Sequence, residues 1–175
     1  PSPRPFRIFC FGGSTMWGTG ARDDYTIPSC LARELSHQGH HVEVTNFGES
    51  GYVSKQALLA LMGELERGNV PHLVIFYDGA NDVFSAFQNQ TAGIPQNEHN
   101  REVNGHSTRW SNLSRGFFPG ILCVSASAQR RLHGADSTDE NKHADTLAGD
   151  VVTRYKSTAQ TFEMLASANG FDTLF

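Results

Sequence analysis

Residues 6–77 alternate between two hydrophobic periods, and that alternation restricts the fold more than any other feature of the chain. Phe6-Arg7-Ile8-Phe9-Cys10-Phe11 is a short apolar run that stops at Gly12-Gly13, the pattern of a buried strand. A loop follows to about Tyr25. Thr26 is a good N-cap, and Pro28 falls in the first turn of a helix that carries Leu31 and Leu35 and ends at Gly39. Residues 41–46 alternate and are β-branched, which predicts a second strand. Ala57, Leu58, Leu61, Met62 and Leu65 share one helical face, and Gly68-Asn69 closes that helix. Residues 73–77 are continuously apolar, a third strand expected to be buried on both faces. Strand, helix, strand, helix, strand in so short a stretch predicts an α/β fold, a three-layer α/β/α arrangement around a parallel sheet. Such a sheet places every turn that follows a strand on one edge, and ligands bind at that edge.

The rest of the chain is less regular. Residues 88–112 are polar and show no clear period. Phe117, Phe118, Ile121, Leu122 and Val124 form an apolar patch of undecided type; the Phe117-Phe118 pair is a candidate acyl-pocket lining, although core packing is the commoner use of such residues. Residues 133–145 are polar enough to be expected disordered. Val151, Val152, Tyr155, Ala159, Phe162, Leu165 and Ala166 mark an amphipathic helix, Asn169-Gly170 caps it, and Phe171 opens a fourth strand. The expected organisation is one domain over residues 1–175 with a long loop or insertion over residues 89–148. The chain opens on Pro1 rather than Met and ends as a strand with no turn after it, so it is expected to be part of a longer protein, with the C-terminal part of the domain missing.

Composition narrows the functional classes. Fourteen Lys and Arg against 18 Asp and Glu leave a net charge of −4, which argues against nucleic-acid binding through bulk charge. No apolar run is long enough to span a membrane. Cys10, Cys30 and Cys123 have no metal-ligand spacing and are expected to be buried free thiols. Neither a metal nor an organic cofactor is suggested. Compartment and oligomeric state are not readable.

The chemistry lies in the three turns. The first is Gly12-Gly13-Ser14-Thr15-Met16-Trp17-Gly18, the second Asn46-Phe47-Gly48-Glu49-Ser50-Gly51, and the third Asp78-Gly79-Ala80-Asn81-Asp82. On one edge they present the Ser14 hydroxyl, the Gly48 N–H and the Asn81 amide, a nucleophile with two oxyanion donors. Ser50 is a rival hydroxyl, but Gly48-Glu49-Ser50-Gly51 does not fit Gly-x-Ser-x-Gly. Asp82 is expected to cap the helix that follows it, and Asp78 to be structural.

These blocks resemble those of the SGNH (GDSL-type) hydrolases. That family's first block is usually Gly-Asp-Ser, for which this chain has Gly12-Gly13-Ser14-Thr15. The second is a glycine after the second strand, matched by Gly48, and the third is Gly-x-Asn-Asp, matched in full by Gly79-Ala80-Asn81-Asp82. The resemblance covers residues 6 to about 88 and extends weakly to the last helix and strand. It implies a flavodoxin-like sheet, Ser14 as nucleophile, and an oxyanion hole built from Ser14 N–H, Gly48 N–H and the Asn81 side chain. It further implies an ester hydrolase of small-molecule or carbohydrate-borne acyl esters, working through an acyl-serine intermediate. The family's fourth block, Asp-x-x-His, supplies the general base and the residue that orients it, and the sequence contains none. Glu140-x-x-His143 is the nearest look-alike, and His99 and His106 are replacement bases on the segment after the third strand. Two other readings stay open. A non-catalytic or truncated relative would bind an ester or glycan without turning it over. A phosphate-binding domain would use the Gly13-x-x-x-x-Gly18 spacing, although Thr19 stands where lysine is needed.

Overall fold

Alternation along one strand explains the layering. A computed structural model of the protein describes residues 4–96 and 137–175. In β1 (Phe6–Gly12) successive side chains leave opposite faces of the sheet. Ile8 and Cys10 pack with Met16, Leu31 and Leu35 on one face. Phe9 and Phe11 pack with Ala57, Leu61, Phe162 and Ala166 on the other. Both faces of the sheet are therefore covered by helices, the three-layer arrangement expected of parallel strands.

The described elements follow in order. A one-turn helix α1 (Ser14–Trp17) and a 3₁₀ turn over Asp23–Tyr25 precede α2 (Ile27–His37), β2 (Val42–Asn46), α3 (Ser54–Glu66) and β3 (Leu73–Tyr77). Then come α4 (Ala80–Asn89), α5 (Ser137–Asn169) and β4 (Asp172–Leu174). All pairings are parallel and the strand order is β2-β1-β3-β4. The chain starts in the middle, steps outward to β2, then crosses back to β3 on the other side of β1. The crevice beyond the ends of β1 and β3 is thus the switch point at which open α/β sheets bind ligands.

Local signals account for the boundaries. Thr26 Oγ1 accepts the Ser29 N–H at 3.3 Å, and Pro28 sits in the first turn of α2. At the start of α3, Gln56 Oε1 accepts the Val53 N–H at 3.1 Å. The chain divides into two compact units, residues 1–96 with 150–175 and residues 97–149, and the sheet lies wholly in the first.

Four local expectations change. The loop before Tyr25 contains α1 and the 3₁₀ turn, because Gly13 and Gly18 can flank a single turn of helix. The last helix starts at Ser137, not near Val151, so residues 137–145 are helical rather than disordered. Their polarity hid good helix formers such as Lys142 and Ala144. Strand β3 is covered over Val74 and Phe76, with Leu73 and Ile75 half-buried, but its end is open: Tyr77 is 59% exposed. Cys30 is half-buried, with Arg33 Nη2 at 3.3 Å from its sulfur, rather than fully enclosed on an apolar face. Cys123, the Phe117-Phe118 pair and the rest of the apolar patch fall outside the described residues.

Cys10 is fully buried, and burial pushes its thiol up to about 11. Its thiolate, the reactive form, is therefore scarce at neutral pH. We expect native protein at pH 8 to leave Cys10 unalkylated by iodoacetamide, and peptide mass spectrometry to find it alkylated only after denaturation.

Candidate active site

Ser14 is the first residue of α1, immediately past the end of β1, and is half-buried. The register sets Gly12 against Tyr77, so the turns after β1 and β3 start side by side. The second turn joins them where the Glu49 N–H donates to Gly12 O at 3.0 Å. All three sequence blocks therefore meet at the switch point.

Close approaches fix the glycines. A Cβ on Gly13 would lie 2.4 Å from Asn81 Nδ2, so the residue before Ser14 touches the amide of the third block. A Cβ on Gly48 would lie 2.5 Å from Trp17 N, because the second turn packs directly on the backbone of α1. Asn46 reinforces that contact by donating from Nδ2 to Met16 O at 3.1 Å. Its Oδ1 accepts the Gly48 N–H at 2.9 Å. The Gly48 N–H is thus already engaged within its own turn.

The third block is the most heavily anchored. Gly79 opens α4 at φ 97°, a conformation that L side chains rarely adopt, which explains the first position of Gly-x-Asn-Asp. Asn81 Nδ2 donates to Tyr52 O at 2.8 Å. An amide nitrogen carries two hydrogens, so one remains for a ligand. Asp82 does not cap its own helix as expected. It is the third residue of α4, buried, and its carboxylate accepts the Ser54 N–H at 3.0 Å and the Ser54 hydroxyl at 2.6 Å. It caps α3 instead, joining the third block to the helix that follows the second by a contact no local pattern reveals. Asp78 accepts the Tyr155 hydroxyl at 2.6 Å. Burial raises the Asp78 carboxyl above the usual range, Asp82 adds to that rise, and the Tyr155 bond opposes it.

Among the described residues of the unit that holds Ser14, no histidine lies at the Ser14 edge of the sheet. His72 accepts the Arg7 N–H at Nδ1 (2.9 Å) and stacks on Phe6, at the sheet edge opposite Ser14. His40 and His41 precede β2 at that same opposite edge, and His37 ends α2. His143 lies in the second unit and is exposed; the Glu140 side chain, His99, His106 and His133 fall outside the described residues. Among the described residues no His, Cys, Asp or Glu cluster forms a metal site. No helix among them is long and apolar enough to cross a membrane.

A cleft of about 530 Å³ opens beside the end of α1, with Trp17, Thr19, Asp23 and Asn46 in its lining. Trp17 is 51% exposed there. Sequence reasoning passed over Trp17, whose only signal was an aromatic residue in a polar turn. The phosphate-binding reading fails on the same segment. Its loop needs a helix after the second glycine, whereas Gly18, at φ 101°, ends one.

No family model and no curated protein matches the chain. Among solved structures the chain is similar to several proteins, one of them described as an SGNH-hydrolase family esterase. One is AlinE4, described in those terms, at 26% identity over 48% of this chain and 45% of that one, with a TM-score of 0.44. Another is TesA, at 26% identity over 45% and 43%, TM-score 0.42. A third is the psychrotrophic esterase EstA from Pseudoalteromonas sp., at 24% identity over 45% and 43%, TM-score 0.41. The chain spans less than half the length of each of these proteins.

Proposed function

We propose that this chain carries the nucleophile and oxyanion site of a serine ester hydrolase, within one domain interrupted by residues 89–148. The observation that carries the reading is the contact between the first and third blocks at the switch point, which brings the Asn81 amide against the residue before Ser14. Ser14 attacks the ester carbonyl, forming the Oγ–C bond. The negative charge that develops on the former carbonyl oxygen is met by the Ser14 N–H and the free hydrogen of the Asn81 amide. Collapse expels the alcohol and leaves an acyl-Ser14 ester, which water then hydrolyses. Gly48 N–H is the weaker third donor, because it must be shared with Asn46 Oδ1. Substrates of this class are small or carbohydrate-borne acyl esters.

Attack requires a group that takes the Ser14 proton. Asp-x-x-His is missing from these 175 residues, and that observation favours a second reading, ester or glycan binding without turnover. p-Nitrophenyl acetate separates the two. A hydrolase releases nitrophenol with a stoichiometric burst and leaves an acetyl group on the peptide holding Ser14. A binder shows neither.

A further inference from the structure

The loop that presents Asn81 is tied to α5 as well as to its neighbours in the site. Two of its anchors, Asn81 to Tyr52 O and Asp82 to Ser54, run to the start of α3. The third comes from the far end of the sequence: the Tyr155 hydroxyl donates to Asp78 Oδ1 at 2.6 Å. The same ring stands over Gly79, where an added Cβ would lie 3.5 Å from Tyr155 Cε2. Tyr155 thus touches both residues that lead from β3 into α4, including the glycine at φ 97° on which the direction of α4 turns. A partly buried carboxylate at a strand end is costly without a partner, and this partner is a neutral donor. Burial and the bond to Asp78 both push the Tyr155 hydroxyl up, so it remains protonated, and a donor, at neutral pH.

We propose that Tyr155 and Asp78 form a positioning pair that sets the direction of the Asn81 amide. The last helix would then govern the oxyanion donor, although it contributes no group to the reacting atoms. The role rests on the reading of Asn81 as that donor, but the geometry can be tested without turnover.

The test uses ¹⁵N-labelled full chain, with the Asn81 side-chain NH₂ signals identified by their loss in Asn81→Ala. In the parent they should form one sharp pair. Tyr155→Phe, which removes one oxygen from a half-buried ring, should shift them and broaden or split them, and Asp78→Ala should do the same. The double variant should look like either single one. Labelling of Ser14 by a fluorophosphonate should slow by about 10- to 100-fold in Tyr155→Phe, with the half-saturating reagent concentration unchanged. In an Asn81→Ala background Tyr155→Phe should slow it no further. Unchanged Asn81 signals in Tyr155→Phe would overturn the proposal, as would a rate loss that multiplies in the Asn81→Ala background. A parent whose Ser14 is never labelled contradicts the hydrolase reading instead, and the amide signals still decide the positioning. If Asp78→Ala does not fold, Tyr155→Phe carries the test alone.

Discussion

Asn81→Ala should slow the reaction of Ser14 with an activated ester or a fluorophosphonate by about 10²–10³-fold, the usual loss when one oxyanion donor is removed. Asn81 donates once to Tyr52 O and has one hydrogen left, and its amide lies against Gly13, directly before the nucleophile. No other side-chain amide is placed against Gly13 among the described residues, and Gly48 N–H is already held by Asn46. The loss should fall on the acylation rate rather than on affinity, because the oxyanion exists only in the transition state. Stopped-flow measurement of the nitrophenol burst, or the pseudo-first-order labelling rate, checks this. A loss below threefold would remove Asn81 from the chemistry.

Gly48→Ala should destabilise the fold by about 1–3 kcal/mol, the range for overpacking a close contact. The added methyl would sit 2.5 Å from Trp17 N and 2.8 Å from Met16 C, both backbone atoms that cannot swing away. Either the second turn or α1 must move, and α1 carries Ser14. At roughly 2–4 °C per kcal/mol for a chain of this size, thermal unfolding resolves the effect. Gly63→Ala is the internal comparison. Gly63 lies inside α3, and its methyl would find only Arg67 Nη1 at 3.8 Å. That change should raise stability by about 0.5–1 kcal/mol through helix propensity. The same chemical substitution thus carries opposite signs at two glycines. Equal effects at both would show that α1 and the second turn are not in contact.

Much of the sheet and the outline of the site were legible because both follow short-range rules. Apolar runs that stop at Gly12-Gly13 and at Asp78-Gly79 marked β1 and β3. Because parallel strands share an edge, Ser14, Gly48 and Asn81 belonged together before any distance was known. What escaped was long-range or masked by polarity. Asp82 looked like a local cap, since Asp near a helix start usually is one, and only the approach of α3 hands it to Ser54. The Asp78–Tyr155 pair joins residues at opposite ends of the chain, and Tyr155 read as one more apolar position of an amphipathic helix. The early turns of α5 were lost because a polar stretch shows no hydrophobic period even when its residues favour helix. Gly13 carries a similar lesson. Where the resembled family usually has Asp, a Cβ here would lie 2.4 Å from Asn81 Nδ2, so the Asn81 side chain would have to shift to admit one.

Everything proposed for this site depends on Ser14 being its nucleophile. The most direct measurement incubates the chain and its Ser14→Ala variant with a fluorophosphonate at neutral pH and maps the adduct by peptide mass spectrometry. One adduct is expected, on Ser14, and none in the variant. Labelling that persists in Ser14→Ala, or a folded parent that takes no label, would contradict it.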